Sequence, residues 1–242
     1  MKAYSITDVG AKRKVNQDYV YCREEAIGNL PNLFIVADGM GGHNAGDMAS
    51  KTCVECVADF VRCNEDLKTP ISIIEKAVAL ANEEIIKKSK SNEQYDGMGT
   101  TFVASTIIDD VMYVANIGDS RLYVINDEIR QITEDHSLVE EMVKNGKIDK
   151  NNARFHPNKN IITRALGAAD DVTADFFEIS LKKNDIVLMC SDGLSNMIDD
   201  DEIFKMVTQG KEDIVMTSLR LVAKANEYGG KDNISIVMVL VE

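Results

Sequence analysis

Short β-rich runs open the chain at about residues 2–7, 18–24 and 32–37, each bounded by polar turn residues. The period then lengthens. Ala45, Met48, Ala49, Thr52, Cys53, Cys56, Val57 and Phe60 fall on one stripe and predict a helix over 43–62. Ile71, Ile74, Ala77, Val78, Ala81 and Ile85 predict a second helix over 71–89, which Pro70 suits as a first-turn residue. From 100 to 133 the period returns to two in TFVASTII, VMYVANIG, RLYVI and EIRQIT. With Asp109-Asp110 and Asn126-Asp127 as tight turns, these runs read as an antiparallel meander. A helix is expected in SLVEEMVKNG, then a polar surface excursion over 147–160. Strands are expected at 172–180, 185–191 and 233–241, and helices at about 200–208 and 212–227.

No repeat, linker or low-complexity tract divides the chain. Long antiparallel runs with helices in pairs predict an α+β fold. Two antiparallel sheets should pack face to face with a helix pair over each outer surface, four layers α-β-β-α in one domain, 1–242. The elements do not alternate as βαβα, which argues against a doubly wound parallel sheet.

Composition narrows the function classes. Forty acids against 27 basic residues give a formal charge of −13, which disfavours a grip on nucleic acid or an anionic membrane. A cation or a basic partner stays compatible with it. MKAYSITDVG lacks the apolar core of a secretory signal, and the ISIVMVLV run at 234–241 is too short to span a bilayer. Five cysteines, an odd number, suit reduced thiols and a cytoplasmic location. Cys53 and Cys56 form a C-x-x-C, but no second pair completes a zinc site and both sit on the apolar stripe, so they read as core.

The chemistry lies in aspartates that follow β-rich runs and precede small residues. Asp38 sits at the expected end of LFIVA before Gly39, Asp119 follows VANIG, Asp192 follows DIVLMCS, and Asp232 precedes NISIVMVLV. Asp18 closes NQD at the start of an early strand. One such aspartate alone is a turn or cap residue, and Asp135 and Asp185 are read so. Several collected at one sheet edge repel one another unless cations join them, and all-oxygen ligands imply Mg²⁺ or Mn²⁺. The glycine-rich stretch VADGMGGHNAG (36–46) fits neither phosphate-loop pattern, since no G-K-[ST] and no G-x-G-x-x-G in a βαβ setting is present. Arg13, between Asp8 and Asp18, offers a guanidinium fork for phosphate oxygens.

The ordered set TDVGAKRKVNQD (7–18), VADGMGGHNAG (36–46), GTT (99–101), NIGDSR (116–121), TRALG (163–167), SDGL (191–194) and GGKDNISIV (229–237) covers nearly the whole chain. It resembles the PP2C-like (PPM) metal-dependent protein serine/threonine phosphatases, in their compact bacterial form. The resemblance implies hydrolysis of phosphoserine and phosphothreonine in proteins, opposing a serine/threonine kinase, by a monomer. It implies that Asp38 bridges two Mn²⁺ or Mg²⁺ ions, with the Gly39 carbonyl on one and Asp192 and Asp232 on the other. Asp119, with Asp192, would hold a third, weaker ion. Arg13 would bind the substrate phosphate, Asp18 would orient waters on the ions, and 137–167 would be a flap beside the site. Water activated between two ions about 3.5–4 Å apart would attack phosphorus in line, without a covalent intermediate. Histidine often follows the Asp-Gly in eukaryotic members and is proposed there as the general acid; Met40 stands here and cannot donate a proton. Water on the ions is then the expected donor. His43 gains no role from the resemblance, His136 is expected to cap a helix or face solvent, and His156 lies in the flap. Two other readings remain, a catalytically weak regulatory or binding module and a phosphatase of small phosphoesters.

Overall fold

Strands apolar on both faces need cover on both sides, and the fold supplies it. The computed structural model describes residues 1–42 and 45–242. In β3 (Leu33–Met40), Leu33, Ile35 and Ala37 face one core while Phe34 and Val36 face another. A six-stranded sheet runs β2 (Asp18–Arg23), β3, β5 (Phe102–Ile108), β6 (Val111–Ile117) and β9 (Asp175–Ser180), with the short β4 (Gly99–Thr100) paired to β3. A five-stranded sheet runs β1 (Lys2–Asp8), β11 (Ile234–Leu240), β10 (Ile186–Cys190), β7 (Arg121–Ile125) and β8 (Ile129–Gln131). Both sheets are antiparallel.

Three cores stack through the molecule. Phe34, Val36, Val103 and Val114 meet Leu122, Val187, Met189 and Val237 between the sheets. α1 (Ala45–Cys63) and α2 (Pro70–Ser91) cover the six-stranded sheet, with Cys53, Val57, Ile74 and Ile85 buried against Ile35 and Phe102. α6 (Asp200–Gly210) and α7 (Ile214–Glu227) cover the other, with Ile203, Val207 and Leu221 against Leu188 and Ile236. The layers are α-β-β-α, as the periodicity predicts. Thr69 caps α2 by accepting from the Ser72 amide, which leaves Pro70 in the first turn. Shorter helices are α3 (Leu138–Lys144), α4 (Lys150–Ala153) and α5 (Asp192–Ser195), with a 3₁₀ turn at Glu93–Tyr95. α3 and α4 lie within 137–167, so the polar stretch expected as a surface excursion holds one helical turn. Among the described residues no helix is long and apolar enough to cross a membrane.

The meander expected over 100–133 is not one. β5 and β6 pair in the six-stranded sheet; the chain then crosses to the other sheet, where β7 pairs with β10 and β8. The free edge of β6 is taken instead by β9, Val111 opposite Ser180 through Asn116 opposite Asp175. Alternation could not separate the two, because β7 also carries apolar residues to both faces, Leu122 and Val124 inward, Tyr123 and Ile125 toward the helices. The crossing runs through Gly118, at φ +102°, where an added Cβ would lie 2.6 Å from Thr101 Cγ2. β3 also departs from expectation by running past residue 37, because β4 pairs with it, Gly39 opposite Thr100 and Met40 opposite Gly99.

Gly118→Ala should therefore lower stability by about 3 kcal/mol or more, through left-handed strain plus a clash. Gly97→Ala is the control. Its φ is +67° but nothing lies within 4 Å of the added Cβ, so only about 1 kcal/mol of strain remains. Urea denaturation of both variants checks this; equal losses would remove the clash from the account.

Candidate metal centre

Each acidic residue reaches the centre from a different stretch of chain. Asp38 lies within β3, and Asp18 at the start of β2 is its register partner across the strands. Like charges placed opposite one another repel. Asp119 sits in the crossing between the sheets, Asp192 opens α5, and Asp232 precedes β11. Burial comes first among the causes that raise these carboxyls, and the neighbouring acids add to it. Asp38 is held well above the usual carboxylate range by burial and then by Asp18, Asp192, Asp119 and Asp232. Burial and then Asp192 and Asp135 raise Asp119 well above that range, against the pull of Arg121. Burial and Asp232 lift Asp192 to about 6. Asp18 stands at about 7, lifted by burial against the pull of the Ser235 and Ser191 hydroxyls. The structure thus brings together the carboxylates that the sequence singles out.

Two of their oxygens want a partner. Asp18 Oδ1 and Asp192 Oδ1 are buried and receive no hydrogen bond, although the second oxygen of each does. Ser191 Oγ donates to Asp18 Oδ2 at 2.7 Å, and Asn196 Nδ2 donates to Asp192 Oδ2 at 2.8 Å. Buried acceptors without donors, in a group of mutually repelling carboxylates, fit hard divalent cations. Among the described residues no three acidic, cysteine or histidine side chains close on one point. An ion here would accordingly complete its shell with backbone oxygen and water, as hard cations do.

The local sequence explains the placement. Gly39 is required because a Cβ there would lie 1.9 Å from the Gly46 carbonyl oxygen, so α1 starts directly against β3. Its amide donates to the Gln17 carbonyl at 3.0 Å. The GTT stretch holds Asp38 from the other side: Thr101 Oγ1 accepts from the Asp38 amide at 2.9 Å, and Thr100 Oγ1 donates to its carbonyl at 2.9 Å. Thr101 Oγ1 also meets Ser120 Oγ at 2.8 Å, which ties Asp38 to the crossing that carries Asp119. Asn233 fixes the segment with Arg13. Its Nδ2 donates to the carbonyls of Val9 and Val15, and its Oδ1 accepts from the Gln17 amide. The Ala11 and Lys12 amides both donate to the Gly230 carbonyl. Nothing in the sequence singles out Asn233 within GGKDNISIV, because a side chain that bridges more than two hundred residues leaves no periodic signal.

Arg13 is half exposed, and its Nη2 donates to Asp232 Oδ2 at 2.7 Å. Its guanidinium is therefore at the centre, paired with an acid. Asp135, expected as a turn residue, instead accepts from Arg121 Nε at 3.0 Å and Nη2 at 2.7 Å. Arg121 belongs to NIGDSR, and the pairing braces the segment beside Asp119. Asp185 keeps a turn role, accepting from the Lys182 amide at 3.0 Å. His136 neither caps a helix nor faces solvent. It is buried; its Nδ1 accepts from the Gly118 amide at 3.0 Å, so Nε2 carries the hydrogen and donates to Asp175 Oδ2 at 3.1 Å. Met40 packs over Gly99, whose added Cβ would meet its Cε at 2.7 Å. His43 lies outside the described residues. His156 Nδ1 accepts from the Asn158 amide within its own turn.

Comparison with known proteins adds a family to this geometry. Residues 10–220 match the family model described as protein phosphatase 2C. The chain is 40% identical over 243 residues to the serine/threonine phosphatase stp of Listeria monocytogenes serotype 4b, covering 99% of this chain and 95% of that one. The crystal structure of the serine/threonine phosphatase Stp1 from Staphylococcus aureus superposes with a TM-score of 0.92 at 32% identity, over 100% of this chain and 95% of that one. The catalytic domain of the serine/threonine protein phosphatase PstP, solved in complex with two manganese ions, gives a TM-score of 0.86 at 30% identity, over 100% of this chain and 98% of that one.

The raised carboxyls also set a pH dependence for the cation-free chain. A folded pKa above the unfolded value means that the folded state binds the extra protons. The stability this contributes is complete below the unfolded value of 3.8 and is lost as pH rises through about 6 for Asp192 and about 7 for Asp18. Melting temperatures in EDTA should therefore fall from about pH 5 to about pH 8. Asp38→Asn removes a carboxyl that is itself raised well above the usual range and should flatten the slope. An unchanged slope in that variant would detach the pH dependence from this cluster.

Proposed function

The chain belongs to the protein phosphatase 2C family and is a serine/threonine phosphatase, and from that premise we propose how its own residues divide the work on phosphoserine and phosphothreonine in proteins. The observation that carries the proposal is the convergence of mutually repelling, buried aspartates, two of them with an unpartnered oxygen. Asp38, the Gly39 carbonyl, Asp192 and Asp232 hold two divalent cations, Mn²⁺ or Mg²⁺, and Asp119 with Asp192 holds a third, weaker one. When bound, the cations supply Lewis-acid activation of water for attack on phosphorus.

The protein's own groups do the rest. Arg13 presents its donor fork to the phosphate oxygens, where negative charge is spread in the transition state. Asp18, anchored by Ser191 Oγ, orients water at the centre through its free Oδ1. Met40 has no proton to give, so the leaving alkoxide takes its proton from water. Segment 137–167 acts as a flap over the substrate within a single domain, 1–242. The family relation and the charge of −13 support a monomer that works in the cytoplasm against a serine/threonine kinase rather than on nucleic acid or a membrane. A catalytically weak binding module would be favoured by missing acids, and Asp38, Asp192 and Asp232 are all present.

Phosphate release from a phosphothreonine peptide should require Mn²⁺, stop in EDTA and be abolished in Asp38→Ala. Release that survives EDTA or that substitution would sink the cation-based reading, and no release under any condition would favour the binding module. Arg13→Ala should raise KM about tenfold or more, the value of one charge-assisted contact. An unchanged KM would remove Arg13 from phosphate binding.

A further inference from the structure

Besides the backbone pairing of Leu166 with Thr100, the segment 137–167 reaches the centre through an amide side chain. Lys159 Nζ donates to Asn196 Oδ1 at 2.9 Å, and Asn196 Nδ2 donates to Asp192 Oδ2 at 2.8 Å. Arg154 Nη2 adds a longer contact, 3.4 Å, to the Asn196 carbonyl. Asn196 is also fixed by its backbone, whose amide donates to the Asp192 carbonyl at 2.7 Å at the end of α5. These contacts lie along a cleft of about 620 Å³ between 137–167 and the start of α6, lined by Asp119, Arg154, Lys159, Asp192, Asn196 and Asp200 among others.

The chemistry allows only one orientation of the amide. An ammonium can only donate, so it must face the amide oxygen; an ionised carboxylate can only accept, so it must face the amide nitrogen. Lys159 and Asp192 therefore read opposite ends of one planar group. Turning that plane to suit either partner moves the other. With Asp192 Oδ2 taken by Asn196, Oδ1 is the oxygen left buried and without a partner. Lys159 is half-buried, and the Asp192 charge partly offsets the burial that lowers its pKa. The lysine thus senses the carboxylate by charge as well as through the amide.

Resting on the cation-site reading above, we propose that Lys159 and Asn196 are positioning residues that couple the placement of segment 137–167 to cation binding at Asp192. Cation binding favours the carboxylate orientation in which Asn196 faces Lys159, and by linkage a segment docked through Lys159 favours cation binding. A substrate that displaces the segment then changes the cation site, and a cation that leaves Asp192 loosens the segment. Neither residue touches the reacting atoms in this account.

The test uses the full chain and Mn²⁺ alone. Calorimetric titration of wild type, Asp192→Ala, Lys159→Met, Asn196→Leu and the Lys159→Met/Asn196→Leu pair identifies the binding event that Asp192→Ala removes. Lys159→Met and Asn196→Leu should each weaken that event about tenfold, a usual size for loss of a group behind a metal ligand. The double variant should be no weaker than Asn196→Leu, since the two act in series. Hydrogen exchange over 137–167 should slow on adding Mn²⁺ to wild type and respond little in Lys159→Met, whose side chain keeps its length without the charge. Circular dichroism and melting in EDTA check that the variants fold. Wild-type Mn²⁺ affinity in Lys159→Met, or additive losses in the double variant, would overturn the coupling while leaving the site intact. Unchanged binding in Asp192→Ala would instead overturn the site reading on which the coupling rests.

Discussion

The structure depends on keeping several carboxylates together where two sheets meet. Repulsion among Asp18, Asp38, Asp119 and Asp192 works against this, and burial makes it worse. Side-chain freedom cannot be left to relieve the strain, so each acid is held by the backbone around it. Asp38 is pinned between hydrogen bonds from Thr100 and to Thr101. Asp232 follows a loop clamped to the N-terminal segment, where Gly10 has no room for a Cβ because the Asp232 carbonyl oxygen would be 2.1 Å away. Gly193 is similarly pressed on the Asn233 carbonyl oxygen, at 1.9 Å for an added Cβ. Gly39 and Gly193, which follow Asp38 and Asp192, serve close backbone packing rather than turning.

That requirement also accounts for the connectivity. A continuous meander would leave Asp119 in a hairpin of one sheet, away from the acids of the other. By crossing at Gly118, the chain sets Asp119 at the seam, where Ser120 reaches Thr101 and His136 holds the Gly118 amide. Asp175 then closes the outer side, joined to His136 and, at 2.6 Å, to Arg164 of the TRALG stretch. A surface segment after β8 is thereby fastened to the same seam as the sheets.

Much of this was legible in the sequence, and the exceptions share a cause. Helices α1, α2, α6 and α7 and most strands carry periodicities that name their buried faces, and the strand-end aspartates stand out by repetition. Pattern reports which faces are apolar, not which sheet a strand joins, so the crossing after β6 is hidden inside what reads as a continuous meander. It likewise reports nothing about pairs distant in sequence. The roles of Asn233, Asn196 and the Arg121–Asp135 pair depend on contacts that only the folded chain creates. The place of His136 is hidden for the same reason, since its partners are Gly118 in the crossing and Asp175 at the start of β9.

The Arg13–Asp232 pair shows how a guanidinium is kept beside the acid cluster. The loop around Arg13 is set by backbone bonds to Gly230 and Asn233, so the guanidinium has few places to go. Its partner is the acid on which a cation is proposed to sit. Both side chains are partly open to water, 47% and 30% exposed, so the ion pair contributes about 1 kcal/mol or less and exchanges readily. A divalent cation held at Asp232, as proposed, would satisfy that carboxylate better than one donor of an arginine does. The fork would then be freed within reach of a phosphate at the same site. Because the pair exchanges readily, the backbone bonds to Gly230 and Asn233 rather than the ion pair keep Arg13 at the cluster, whichever acceptor its fork faces.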